Sequence, residues 1–201
     1  NKLPKIEPNF LTEMNHEING VDVLWPYKRD EKTLARPWIL PGTKGLEHRI
    51  GGIEKADGTG AISYDPANHD KMVRLRQAKV DGIAHDVAPM FIDDPSDDAE
   101  ICVLGWGSTF GITAAAVEIS RREGIKVAQA HLQTVNPFPA NTGDVLKKYK
   151  KVLIPEMNLG QLCMLIRAKY LIDAQSISKV QGQPFKTSEL VAEIKKAAEN
   201  V

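Results

Sequence analysis

The sequence predicts an α/β fold in which an open, mainly parallel sheet is covered on both sides by helices, preceded by an irregular extension. Three observations carry that prediction. From Ala99 onward short apolar runs alternate with segments of helical spacing. Before Ala99 there is little sustained periodicity, and most of the chain's prolines fall there. Between the two textures lies Asp93 Asp94 Pro95 Ser96 Asp97 Asp98, an acidic, solvated linker with no EF-hand spacing after it. The expected organisation is therefore an extension over residues 1–98 and an α/β domain over residues 99–201.

The opening unit of the domain sets the pattern. Ile101 Cys102 Val103 Leu104 is a short continuous apolar run bounded by glycine, which suits a strand buried on both faces of a parallel sheet. Gly105 Trp106 Gly107 Ser108 Thr109 Phe110 Gly111 forms the turn. Ile112, Ala115, Ala116 and Ile119 then recur at helical spacing, with Ser108 or Thr109 as a cap and Gly124 as the stop. A second strand is expected over 126–132 and a helix from Asn141 or Thr142. A third strand over 151–155 leads into a helix with Leu162, Leu165 and Ile166 on one face. A strand near 177–180 and a helix over 188–198 complete the chain. In the extension, Pro4, Pro8, Pro26, Pro37 and Pro41 punctuate extended segments. Residues 47–64 suggest a small hairpin around Asp57 Gly58, and Asp65 Pro66 starts a helix through Gly82 with Met72, Leu75 and Val80 on its apolar side.

Composition excludes several functions. Lysine plus arginine and aspartate plus glutamate each total 26, so no basic field attracts nucleic acid. No apolar run has the length of a membrane span and no signal-peptide pattern is present, which predicts a cytoplasmic location. Cys102 and Cys163 form no C-x-x-C pair and read as reduced core thiols. His16, His48, His69, His85 and His131 show no metal-ligand spacing.

The glycine-bearing turn is the first candidate site, because backbone N–H groups at a helix start can hold a phosphate. Glycine is equally required wherever a tight turn brings helix and sheet together. The spacing Gly105, Gly107, Gly111 is one residue longer than the dinucleotide fingerprint, and no acidic residue follows the second strand to hold a ribose. Ser108, His131 and Glu156 each follow a strand and could converge, but no G-x-S-x-G elbow supports a hydrolase triad. Glu156 reads better as a helix-terminus acid than as a general base. The crevice of such a sheet lies beyond the C-terminal strand ends, where Gly105–Gly111 and Glu156–Gln161 should meet.

Longer motifs carry a resemblance. Tyr27 Lys28 Arg29 Asp30, Ala35 Arg36 Pro37 Trp38, the run from Pro41 to Gly52 and residues 65–76 are similar to the linker region of 2-oxoacid:ferredoxin oxidoreductase alpha subunits, especially the 2-oxoglutarate type. Leu104 Gly105 Trp106 Gly107 Ser108 Thr109, Asn136 Pro137 Phe138 Pro139 and the run from Pro155 to Leu162 resemble the domain that ends that subunit. The resemblance implies a transketolase C-terminal type domain, a three-layer α/β/α sandwich with a supporting role. It implies a parent complex that converts 2-oxoglutarate, coenzyme A and oxidised ferredoxin to succinyl-CoA, carbon dioxide and reduced ferredoxin, using thiamine diphosphate with Mg2+ and an iron-sulfur cluster in a beta subunit.

The Y-P-I-T-P motif and the pyrimidine-binding domain of such subunits do not occur between Asn1 and Val201. The resemblance therefore implies the C-terminal part of a longer protein, inactive alone, with no catalytic, cofactor or metal residues of its own. Its partners would be the beta subunit, the pyrimidine-binding domain and, through the complex, ferredoxin. Candidate interface or crevice residues are Glu47, His48, Gly105, Gly107, Ser108, Thr109, Glu156, Asn158, Gly160 and Gln161. The competing expectation is an independent module that holds a phosphate-bearing ligand, coenzyme A or a dinucleotide, at the Gly105 crevice.

Overall fold

The computed structural model describes residues 9–201, so Pro4 and Pro8 lie outside the described residues. The chain divides into two compact units, the first ending at Ile83 and the second running from Ala84 to Val201.

The first unit has little regular structure and little core. β1 (Phe10–Leu11) pairs in parallel with β4 (Trp38–Ile39), and between them β2 (His16–Ile18) and β3 (Val21–Val23) form an antiparallel hairpin. Asn19 and Gly20 turn that hairpin with φ of 52° and 78°, the left-handed pair that a two-residue I′ turn demands. The hairpin expected over 47–64 is reduced to a single antiparallel bridge between Lys55 and Ile62, because tight bonds such as Gly60 N–H to the Ala56 carbonyl coil residues 56–60 into a turn. Gly58 is held there by the indole of Trp25: a Cβ at position 58 would lie 2.7 Å from the ring. α1 (Pro66–Gly82) begins as expected, with the Asp65 carboxylate accepting the Ala67 N–H at 2.9 Å. Only Met72 of its side chains is buried, and among the described residues the other buried aliphatic residues of this unit are Ile39 and Leu46.

The second unit is a three-layer α/β/α sandwich. Its elements are β5 (Phe91–Asp93), β6 (Ile101–Trp106), α2 (Phe110–Arg122), β7 (Val127–Leu132), α3 (Thr142–Leu146), β8 (Lys151–Glu156), α4 (Gln161–Tyr170), β9 (Ala174–Ser178) and α5 (Thr187–Ala198). The sheet order is β5-β7-β6-β8-β9, parallel except for β5, which runs antiparallel to β7 at one edge. Strand alternation divides the core. Cys102, Leu104, Ala128, Ala130, Val152 and Ile154 pack under α3 and α4 with Leu146, Leu162 and Ile166. Ile101, Val103, Val127 and Leu153 pack under α2 and α5 with Val117, Leu190 and Ile194.

Several local expectations are corrected. Phe91–Asp93, expected within the extension, adds a strand, which Arg121 fastens by pairing with the Asp93 carboxylate at 2.7 Å and donating to the Val127 carbonyl at 2.8 Å. The last strand lies at 174–178 rather than 177–180, because its register is set by pairing with Val152–Glu156. Leu165 on α4 is 53% exposed, and Cys163 takes its expected place in the core. Both cysteines are free and buried, and burial raises both thiol pKa values.

Candidate functional site

The crevice expected at the C-terminal strand ends is present. A cavity of about 350 Å3 opens between the turn after β6 and the turn after β8, lined by Trp106, Gly107, Ser108, Thr109, Met157 and Asn158. Each side has its own local cause. After β6 the chain makes one 3-10 turn over Gly107–Thr109, possible because Gly107 takes φ 56°. The expected side-chain cap of α2 by Ser108 or Thr109 is not formed: Thr109 takes the N-cap position but its side chain accepts no N–H of the helix. Its hydroxyl accepts the Trp106 N–H at 3.0 Å and donates to the Trp106 carbonyl at 2.8 Å, which locks the turn instead.

After β8 the chain builds a closed cap for α4. Asn158 Oδ1 accepts the N–H groups of Gly160 at 2.8 Å and Gln161 at 3.1 Å. Glu156 Oε2 accepts Leu162 N–H at 2.8 Å and Glu156 Oε1 accepts Cys163 N–H at 3.0 Å. The donors that a helix start leaves unpaired are thus all taken by side chains of this chain. Glu156 is fully buried and places its carboxylate on the positive end of the α4 dipole. A diphosphate or coenzyme A phosphate does not fit there, since it would meet an acceptor-filled turn and a buried carboxylate rather than free donors.

The proposed convergence of Ser108, His131 and Glu156 is not realised. Glu156 follows Val152 and Ile154 by strand alternation and faces α4. His131 follows Val127 and Gln129 and faces α2, its ring edge-on to Phe110 with centroids 5.1 Å apart. The two lie on opposite faces of the sheet, on strands separated by β6. Burial lowers the His131 pKa from its ordinary value, opposed by a hydrogen bond to the Gly107 backbone, and Nδ1 is buried without a hydrogen-bond partner.

Gly105 explains why that histidine fits. A Cβ at position 105 would stand 3.0 Å from His131 Nδ1 and 3.0 Å from Thr109 Oγ1. The glycine is therefore a close-approach residue between strand and helix. Of the candidate residues, Gly107, Ser108, Thr109 and Asn158 line the crevice, Gly105 and Glu156 lie beneath it, and Gly160 and Gln161 start α4. Glu47 and His48 lie in the first unit, along a separate cavity of about 270 Å3 with Leu40, Pro41 and Leu46, and His48 Nδ1 is 2.9 Å from the Leu46 carbonyl. Sequence reasoning passed over Trp106 and Met157, which form the apolar wall. Their signal is position: large apolar residues at or directly after the end of a buried strand run, Trp106 partly packed on the core and Met157 46% exposed, stand at the mouth of the crevice.

The sheet, its crossovers and its crevice define a three-layer α/β domain of mainly parallel strands. Residues 99–197 match the family model for pyruvate:ferredoxin oxidoreductase core domain II. The chain is 57% identical over 165 residues to the 2-oxoglutarate oxidoreductase subunit KorA of Mycobacterium tuberculosis, covering 82% of this chain and 25% of that protein. It is 29% identical over 184 residues to the 2-oxoglutarate synthase subunit KorA of Methanocaldococcus jannaschii, covering 86% of this chain and 49% of that protein. Among solved structures it is similar to the 2-oxoglutarate:ferredoxin oxidoreductase of Magnetococcus marinus, with 31% identity and a TM-score of 0.76, over 85% of this chain and 30% of that one. The chain thus spans between about a quarter and a half of the length of these curated relatives. No helix among the described residues is long and apolar enough to cross a membrane.

Proposed function

We propose that this chain is the supporting part of the alpha subunit of a 2-oxoglutarate:ferredoxin oxidoreductase, with the unit from Ala84 to Val201 as a bracing domain and the unit ending at Ile83 as the linker region before it. In that enzyme 2-oxoglutarate, coenzyme A and oxidised ferredoxin become succinyl-CoA, carbon dioxide and reduced ferredoxin, and thiamine diphosphate supplies the carbanion-stabilising chemistry when bound elsewhere in the assembly. The observation that carries the reading is the 57% identity to the mycobacterial subunit across both units of the chain.

The geometry favours bracing over ligand binding. The α4 N-terminus has its donors filled by Glu156 and Asn158, and the crevice wall is Trp106 and Met157, the latter 46% exposed. Leu159, next to Asn158 and 79% exposed, adds apolar surface beside it. We take this edge, with Gly107, Ser108, Thr109, Asn158, Gly160 and Gln161, as the face that packs against a neighbouring domain or the beta subunit. Calorimetric titration of the 201-residue chain with coenzyme A, NAD and thiamine diphosphate tests this. The reading expects no saturable heat with any of the three, whereas a micromolar dissociation constant for coenzyme A or NAD at the crevice would favour an independent phosphate-ligand module.

A further inference from the structure

We propose that the first unit contains a binding site for a small oxyanion, a carboxylate or phosphate group, in the cavity lined by Tyr27, Arg29, Glu54, Lys55, Met72 and Arg76. This inference does not rest on the function proposed above, which assigns no ligand to that unit. The cavity has a volume of about 360 Å3, near the lower end of the roughly 300–1,000 Å3 typical of small-molecule sites.

Its walls carry three cations and one anion, and the anion is already engaged. The Glu54 carboxylate pairs with Arg76 Nη1 at 3.2 Å and with His69 Nδ1 at 2.6 Å. Lys55 is 4% exposed, and its ammonium donates to the backbone carbonyls of Gly51, at 2.9 Å, and Ile53. Carbonyls accept two of its three protons without cancelling its charge, and no carboxylate among the described residues lies within ion-pair distance of it. Arg29 donates from Nη1 to the Leu34 carbonyl at 2.9 Å, while its buried Nε has no partner among the described residues. The edge of a guanidinium that carries Nε–H is one of those that grip a carboxylate or phosphate with two parallel bonds.

A second arginine repeats the pattern. Arg36 stacks over the Tyr27 ring with its guanidinium carbon 5.2 Å from the centroid, and its buried Nη1 is also without a partner. Buried donors are rarely left unpaired in native proteins, so two orphaned guanidinium nitrogens around one tyrosine that lines a cavity point to an absent acceptor. Met72, 1% exposed, supplies an apolar lining that strengthens any charge interaction at the site.

The test uses the 201-residue chain labelled with 15N at arginine, observing the Nε–Hε resonances during titration with sodium phosphate and, separately, sodium succinate, at ionic strength held constant with sodium chloride. The expected result is a saturable shift confined to Arg29 and its neighbours, with a dissociation constant of about 1 mM or tighter for at least one probe. Saturation by phosphate alone assigns a phosphate group, by succinate alone a carboxylate, and by both a general oxyanion site. Arg29→Gln and Lys55→Gln, checked for folding by circular dichroism, should each weaken binding at least tenfold. Should either variant fail to fold, the wild-type titration still decides. Shifts spread evenly over all arginines, or no saturation with either anion, would overturn the proposal and leave the cavity to a protein side chain.

Discussion

Replacing Glu156 by glutamine tests how the C-terminal edge of the sheet is built. The carboxylate is fully buried and accepts two backbone N–H groups of α4, at 2.8 and 3.0 Å, one on each oxygen. Glutamine keeps one acceptor oxygen and turns an NH2 group toward the second backbone donor, so one buried N–H loses its partner at a cost of about 1–3 kcal/mol. The charge on the helix dipole is lost as well, worth up to about 2 kcal/mol in a partly buried setting. Relief from burying a carboxylate opposes both effects. The balance is a destabilisation of about 2–3 kcal/mol, which for a chain of this size lowers the melting temperature by about 4–12 °C. Differential scanning calorimetry gives the shift, and amide hydrogen exchange at Leu162 and Cys163 locates it. A Glu156→Gln variant with unchanged melting temperature and unchanged protection at those two amides would refute the claim that this carboxylate holds the start of α4.

Three further outcomes are expected. Gly160→Val should cost about 1–3 kcal/mol in chemical denaturation, because Gly160 has φ 85° and a Cβ there would lie 3.2 Å from Ser176 Oγ. Gly105→Ala should cost about 1–3 kcal/mol by crowding His131 and Thr109, and combining it with His131→Ala should be less destabilising than the sum of the two single changes, as a double-mutant cycle would show. The lowered pKa of His131 predicts a pH effect. Because its folded-state pKa lies below its unfolded value, its contribution is complete above about pH 6.5 and is lost as pH falls from there toward the folded pKa. Urea denaturation of wild type and His131→Gln between pH 8 and 5 checks this: the variant should lose less stability on acidification.

The central strands were legible because Ile101–Leu104 and Val152–Ile154 are continuous apolar runs and the helices keep their period. Ile101–Trp106, Val127–Leu132 and Lys151–Glu156 lie within a residue or two of their expected ends, although Val127–Leu132 buries Gln129 and His131 on the face toward α2. The edge strand Phe91–Asp93 was not legible, because three partly exposed residues carry no periodic signal and their pairing depends on Arg121, far along the chain. Asn19 Gly20 is a strong turn signal, but the strands beside it, His-Glu-Ile and Val-Asp-Val, are too short and exposed to announce a hairpin. At the candidate site, the meeting of the two turns followed from topology. That Glu156 and His131 face opposite sides follows from counting alternation from Ile154 and Val127, a step available only once the strands' register was known. The basic cavity in the first unit was hidden because Arg29, Lys55 and Arg76 come from segments that no local pattern links.

If the crevice between the Trp106–Thr109 turn and Met157–Asn158 is the packing face proposed above, its amides should be covered in the complete enzyme. Hydrogen–deuterium exchange compares these amides in the 201-residue chain with the same amides in the assembled enzyme, each with and without coenzyme A. Strong protection on assembly and no change with coenzyme A in the isolated chain are expected. Amides that stay equally exposed in the assembly, or that become protected by coenzyme A in the isolated chain, would contradict that assignment.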